Sequence, residues 1–369
     1  MVSFQPTEDQ QLIRDTVAAF AREQLRPRAR EADEAGTIPG DLIQQGWELG
    51  LVNSTIPEAY GGAGDARSAV TGALIAEELA WGDLSMALHL LAPRLLIYPV
   101  LDLGTPEQKD RLLKTYAAAQ FTPGSAAVME PHYDFDLAAL RTTAKRESGT
   151  YIISGAKCYV PLAADAEHIL VYARTDGRDG YDAVSGFVVE RGTPGLTILE
   201  REKNMGIKAL ATYGIALDNC RVPAAHRLGG DNGGVFAKLM NYSRVALASL
   251  AVGVARAAFE YARDYAKDRR AFGVAIAQKQ AIAFMLAEMA TEIDATRLLT
   301  WEAAWKLDRG EETTREAYLA KNYAANMVLK VTDNAVQILG GHGYIREHMV
   351  ELWLRNGRGF ATFDGLAIV

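Results

Sequence analysis

The chain has 369 residues, 49% of them hydrophobic and 23% charged, with a formal net charge of -7. That length can hold a few sub-structures around substantial cores, and the composition is ordinary for a globular protein. The acidic balance argues against a nucleic-acid partner, which would favour a basic face.

In chain order, the start Met1-Val2-Ser3-Phe4-Gln5 lacks the charged n-region and apolar h-region of a signal peptide. Thr7-Glu8-Asp9-Gln10 reads as a capping box, followed by Ile13, Val17 and Phe20 at one-face helical spacing. Ser68 to Leu103 is mostly apolar and reads as a buried helix pair. Thr105-Pro106-Glu107-Gln108 opens another helix, with Thr as cap and Pro at the first helical position. No apolar run approaches the ~20 residues needed to span a bilayer, so no membrane is expected.

Near Pro123 the pattern changes to short β-branched and aromatic segments. Strands are expected at 141–144, 151–154, 169–173, 186–190, 196–200 and 213–217. Turns at Ser148-Gly149, Asp176-Gly177 and Asp179-Gly180 separate them. No strand-then-helix alternation occurs, which argues against a dinucleotide-binding βαβ unit. From Gly233 the pattern is helical again, over 236–270, 277–308 and 314–339. Asp308-Arg309-Gly310 stops the second of these, and Thr313-Thr314-Arg315-Glu316 reads as another capping box. Long antiparallel helices with short connections make a bundle. The expected domains are therefore 1–122 (helical), 123–228 (β) and 229–369 (helical bundle). Cys158 and Cys220 stand far apart, give no metal spacing and suggest a reducing, cytoplasmic setting.

Three motifs carry chemistry. Arg269-Arg270-Ala271-Phe272-Gly273 ends the first long helix of the bundle. Alone it reads equally as a basic patch complementing a helix dipole. Gln337-Ile338-Leu339-Gly340-Gly341-His342-Gly343-Tyr344 closes the third long helix. A plain helix cap explains Gly340 but not the whole run, and glycine lets backbone approach a phosphate closely. Phe363-Asp364-Gly365 places a carboxylate at a glycine turn, which is also a common pairing in turns generally.

Together these motifs resemble those of the acyl-CoA dehydrogenases. The resemblance extends through Ile56-Pro57-Glu58-Ala59-Tyr60-Gly61-Gly62, Glu77-Glu78-Leu79-Ala80, Leu140-Arg141-Thr142-Thr143-Ala144 and Cys220-Arg221-Val222-Pro223. It implies an α+β, mostly α fold: an N-terminal helical domain, a middle β-barrel or sheet domain and a C-terminal four-helix bundle. It implies FAD as cofactor. Gln337, Gly340 and Gly341 would contact the pyrophosphate of a neighbouring subunit's FAD, Arg269 would clamp it with a charged fork, and Phe272 would support the adenosine end. Asp364 would be the base that takes the α-proton of an acyl-CoA thioester, where the family usually has Glu. Asn241, Arg244 and Arg94 fall on the substrate side. A cation at Arg94 would suit an anionic acyl tail, or would pair with a neighbouring helix. Electrons would leave to an electron-transfer flavoprotein, and the assembly would be a homotetramer or heterotetramer, at least a dimer.

The flavin-side segments depart from the family pattern. Met129, in Met129-Glu130-Pro131-His132-Tyr133-Asp134-Phe135-Asp136, replaces a threonine and cannot donate a hydrogen bond. Pro161, in Tyr159-Val160-Pro161-Leu162, has lost both a hydroxyl and an amide hydrogen, while Tyr159 can still flank a ring. Asp sets the carboxylate back by up to ~1.5 Å relative to Glu, and a misplacement of that order can cost about a hundredfold in rate. Ser243 offers no alternative base. Three readings stay open: α,β-dehydrogenation, a non-catalytic or cofactor-lending subunit of a heteromeric enzyme, and a variant flavin reaction such as elimination. His132, Asp134 and Asp136 are candidates for altered chemistry or for a plain loop role.

Overall fold

The computed structural model describes residues 5–175, 180–232 and 235–369. The expected turn residues Asp176, Gly177 and Asp179, and the bundle's expected start at Gly233, lie outside them.

Helix α1 (Glu8–Phe20) starts as its sequence predicts. Thr7 Oγ1 accepts from the Gln10 amide at 3.2 Å and the Gln10 side chain accepts from the Thr7 amide at 3.0 Å. It runs through a π-turn at Ala21–Leu25 into α2 (Arg26–Ala35), which Gly36 ends at φ 69°. Then follow α3 (Gly40–Glu48), α4 (Ala69–Gly82), α5 (Leu84–Leu91), α6 (Arg94–Leu103) and α7 (Pro106–Tyr116). The expected helix pair over 68–103 is three helices. Asp83 breaks the run because its side chain caps α5 at the Met86 amide, and Pro93 starts a further helix. The expected cap at Thr105 forms, and as a full capping box with Gln108, with Pro106 at the first helical position.

The middle part is a seven-stranded sheet. Its strands are β1 (Ser125–Ala127), β2 (Thr143–Glu147), β3 (Thr150–Pro161), β4 (His168–Thr175), β5 (Val184–Glu190), β6 (Leu196–Arg201) and β7 (Thr212–Pro223). β4 carries β5 antiparallel along one edge, and β1 and β2 in parallel register along the other. All the expected strands are present, most of them longer; β2 begins later. The unforeseen strand β1, Ser-Ala-Ala, is too short and too weakly β-forming to read from sequence. At the β2–β3 turn Ser148 and Gly149 both have positive φ, 41° and 85°, the conformation of a tight two-residue hairpin.

The last part packs α8 (Phe236–Asp268), α9 (Gln280–Asp308) and α10 (Thr314–Leu339) with the shorter α11 (Gly341–Tyr344) and α12 (Val350–Arg358). A hairpin of β8 (Arg270–Ala271) and β9 (Val274–Ala275) follows α8. Gly310, at φ 67°, ends α9 as predicted. The capping box expected at Thr313 does not form: Thr313 makes no side-chain cap, its hydroxyl donates to the Glu311 carbonyl oxygen, and the Glu312 carboxylate takes the Thr314 amide at 2.9 Å. Two stretches reach membrane-spanning length, Leu84–Leu103 and Phe236–Asp268, where the sequence showed none. Their apolar windows are 89% and 78% buried within the protein, so they are core helices. Alanine-rich faces let α4, α8 and α10 approach closely, and Gly253 is required because a Cβ there would lie 2.2 Å from the Glu77 carbonyl oxygen.

Candidate active site and cofactor cleft

The first functional surface is built where α8 and α10 end. Tyr265, Arg269, Ile276, Ile338, Leu339, Gly340, Gly341 and His342 enclose a cleft of about 340 Å³. Arg269 lies on its exposed side. Gly340 has φ 59° and ψ -132°, a backbone that glycine adopts without a Cβ penalty. A Cβ at Gly340 or Gly341 would meet nothing within 4 Å, so packing within this chain does not demand either glycine. Bare backbone faces an open cleft with the exposed Arg269 guanidinium beside it. Phe272 forms the tip of the β8–β9 hairpin at φ 54° and is 95% exposed. A bulky residue in a left-handed conformation is uncommon, and the ring's contact within the chain is a distant one, Lys279 Nζ at 5.7 Å from its centre. Gln337 is exposed on the last turn of α10 and is not part of the cleft wall. This surface fits the pyrophosphate and adenosine end of FAD. His342 was not foreseen; its Nδ1 lies 2.6 Å from the Tyr265 hydroxyl.

The second surface centres on Asp364. Phe363 is buried and packs edge-on against Phe360 and Tyr159, at 5.7 and 6.1 Å between ring centres. Gly365 has φ 66°, and a Cβ there would come within 2.5 Å of the Val128 side chain. The turn is thus fixed from both sides. The Asp364 amide donates to Met129 Sδ at 3.4 Å, a weak acceptor. The Asp364 carboxylate lies 3.5 Å from Lys321 Nζ. Burial raises the Asp364 pKa, and Lys321 and Arg244 oppose the rise. Arg244 is itself held by Asn241 Oδ1 at 3.0 Å and the Tyr181 hydroxyl at 2.9 Å, and Asn241 also donates to Thr314 Oγ1 at 3.0 Å. Lys321 was missed in the sequence because it is one lysine on an Ala-rich helix; only its place on α10 brings it to the base loop.

Behind Met129 lies a buried polar network. Glu130 accepts from the Arg141 amide at 2.7 Å, the Thr142 amide at 2.9 Å and Lys157 Nζ at 3.0 Å. His132 bridges Glu130 and Asp134 at 3.0 and 3.1 Å, and Asp134 takes Arg141 at 2.6 Å. Asp136 accepts from the Ala138 amide. His132, Asp134 and Asp136 therefore shape the loop. Tyr159 sits at φ 52° on a bulge between β3 and β7, where its amide donates to Glu202 at 3.1 Å. It borders a cavity of about 200 Å³ with Phe363 and Arg358. Pro161 pairs with Thr212 in the β3–β7 ladder.

The structure thus gathers Asp364, Met129, Arg244 and Asn241 at one place, and Arg269, Gly340 and Gly341 at another. Arg94 stands apart from both. It is 2% exposed, and its Nε donates to the Leu51 carbonyl oxygen at 2.9 Å; among the described residues it makes no ion pair to a neighbouring helix. Burial pushes the Cys158 thiol up to about 12 and the Cys220 thiol up to about 11, so both stay neutral.

Comparison with known proteins agrees along the chain. The family description "Acyl-CoA dehydrogenase, N-terminal domain" matches residues 7–120, the middle domain 125–220 and the C-terminal domain 232–367. Cyclohex-1-ene-1-carbonyl-CoA dehydrogenase of Geobacter metallireducens is 38% identical over 363 residues, covering 97% of this chain and 95% of its own length. Butyryl-CoA dehydrogenase from Megasphaera elsdenii has a similar structure, with TM-score 0.89 and 32% identity over 98% of this chain and 96% of that one. An FAD complex of PigA superposes with TM-score 0.90 and 25% identity, over 98% of this chain and 95% of that one.

Proposed function

This chain belongs to the acyl-CoA dehydrogenase family, and we propose that Asp364 is its base. The family makes it a flavin-dependent oxidoreductase acting on the CH–CH group of an acyl-CoA, with FAD as cofactor. Bound FAD supplies a hydride acceptor for the β-carbon. The chain's own residues handle the proton and the carbonyl. Asp364 receives the α-proton on a carboxylate whose basicity burial has increased. Its amide N–H, held only by the Met129 thioether, is free to turn to a stronger acceptor such as a thioester carbonyl oxygen. Lys321 and Arg244 oppose that rise in basicity. The observation that carries this reading is the buried, oriented Asp364 with a donor amide at the same residue.

Two variants test the parts. Arg269→Ala removes a charged contact to the pyrophosphate. Such a contact is worth about 1.5–3 kcal/mol, so FAD retention should weaken by roughly 10–100-fold. Titration of apoprotein with FAD measures this, and unchanged affinity would remove Arg269 from the cofactor site. Lys321→Met removes a charge that lowers the Asp364 pKa. That pKa should rise, so the acid limb of the flavin-reduction rate should move to higher pH. A limb that stays in place would mean Asp364 is not the titrating base.

The exposed Arg269, Gly340 and Gly341 favour a cofactor held across subunits, so at least a dimer, and a tetramer, is proposed. Exposed Phe284, Leu298, Trp305, Tyr318 and Tyr323 on α9 and α10 support association. An electron-transfer flavoprotein is the proposed acceptor, and the neutral thiols suit a cytoplasmic setting. A second reading is a cofactor-lending subunit, favoured by the donors absent at Met129 and Pro161. The visible spectrum of the protein purified alone decides: a colourless protein unchanged by acyl-CoA supports lending, and a yellow one bleached by acyl-CoA supports catalysis. Flavin that forms product without any electron acceptor would point to elimination.

A further inference from the structure

A cavity of about 510 Å³ opens between α1, the segment 49–72 and the start of α6. Neither Asp364 nor Met129 borders it, and its residues have no part in the reaction derived above. Its walls divide by chemistry. Val17, Leu51, Ile75 and the ring of Tyr98 give it a buried apolar side. Arg94 gives it a buried cation.

That cation is unusual. Arg94 is 2% exposed, no carboxylate among the described residues pairs with it, and its Nη1 has no hydrogen-bond partner. Its other contacts are the Leu51 carbonyl oxygen and the face of Tyr98 at 5.2 Å. A buried guanidinium without a counter-charge is costly, and so is a buried donor left unpaired. Arg67 also borders the cavity, but Asp102 and the Val369 backbone oxygen already occupy it. One buried positive charge is therefore uncompensated. The acidic residues bordering the cavity, Asp9 and Asp65, are both exposed and so stand toward solvent.

We propose that this cavity binds a free carboxylic acid with an apolar body, its carboxylate meeting Arg94 and its body lying on Val17, Leu51 and Ile75. The volume lies within the ~300–1,000 Å³ usual for small-molecule sites. The arrangement sets the charge of the ligand. A single carboxylate satisfies Arg94 with charge-assisted bonds. Asp9 and Asp65 border the same cavity, so a second carboxylate is disfavoured there and monocarboxylates are selected over dicarboxylates. A neutral amide of the same shape leaves the cation unpaired.

Calorimetric titration of the flavin-loaded full chain tests this with hexanoate, benzoate, hexanamide and adipate, with and without saturating acyl-CoA. Hexanoate or benzoate should bind, hexanamide and adipate at least tenfold more weakly by roughly the value of one charge-assisted contact, and binding should persist with acyl-CoA present. Arg94→Gln should abolish the difference between hexanoate and hexanamide. Because removal of a buried arginine can disturb folding, Ile13→Trp is the second arm. Ile13 is 38% exposed and borders the cavity, so a larger ring there fills it from the solvent side without touching the core. It should abolish hexanoate binding and leave dehydrogenation unchanged. Absence of carboxylate binding, equal binding of acid and amide, displacement by acyl-CoA, or full binding in Ile13→Trp would each overturn the proposal.

Discussion

Asp364→Asn should lower the rate of flavin reduction by acyl-CoA by about a thousandfold, the middle of the range for loss of a general base. The amide side chain keeps the shape and hydrogen-bonding surface of the turn but cannot accept the α-proton. The turn itself should survive, because Phe363 and Gly365 fix it independently of the carboxylate. FAD content should therefore stay at the wild-type level, since the cofactor cleft at Arg269 and Gly340 is formed by other elements. Asp364→Glu keeps a carboxylate and should keep the reaction. Stopped-flow bleaching of the bound flavin separates these outcomes. A wild-type rate in Asp364→Asn would mean that the proton goes elsewhere; loss of flavin in Asp364→Asn would mean that the residue is structural.

The pH dependence of that rate has a definite sign. The base acts only when deprotonated. Burial raises its pKa, so the reaction should fail on acidification at a higher pH than an exposed aspartate would allow. Lys321 and Arg244 limit this rise, which is why a cation next to a base is compatible with catalysis.

How much of this was legible in the sequence depends on the range of the interaction. Caps at Thr7 and Thr105, the stop at Gly310 and the strand segments depend on neighbours within a few residues, and sequence reasoning found them. The capping box at Thr313 failed because the Thr313 hydroxyl donates to the Glu311 carbonyl oxygen, while the Glu312 carboxylate takes the first helical amide, that of Thr314. The break between α4 and α5 was missed because an apolar run hides a single capping aspartate. A special backbone or a bare surface was readable where glycine and arginine mark it, as at Arg269, Gly340 and Gly365. Lys321 and the orphaned guanidinium of Arg94 were not readable. Their meaning lies in residues more than forty positions away in the chain (Asp364 and Leu51), which no local pattern reports.

Lys157→Met should destabilise the protein by about 3–5 kcal/mol, the usual cost of breaking a buried ion pair from one side. Lys157 and Glu130 have side chains 0% and 1% exposed, with Nζ at 3.0 Å from Glu130 and 2.9 Å from the Val128 carbonyl oxygen. Burial works against both charges. It pushes Lys157 down to about 8 despite Glu130. It would raise Glu130, but Lys157, Thr142, His132 and the Arg141 amide together hold that carboxyl at about 2. The intact Glu130 thus stabilises the fold above the ordinary carboxyl pKa of 4.5, and this contribution is lost as pH falls toward 2. Without Lys157 the burial effect is less opposed, and the Glu130 pKa rises. The variant should therefore be most impaired near neutral pH, and the gap to wild type should narrow on acidification as Glu130 protonates. Adding Glu130→Gln should recover part of the loss, because the remaining group is neutral and its single carbonyl oxygen can still accept from one of the two amides, Arg141 or Thr142. Unfolding midpoints at neutral and acid pH measure both effects. An equal gap at both pH values, or a double variant no better than the single one, would show that the pair is not the source. Flavin retention should fall together with stability, because Glu130 anchors the loop that carries Met129 to the Asp364 amide.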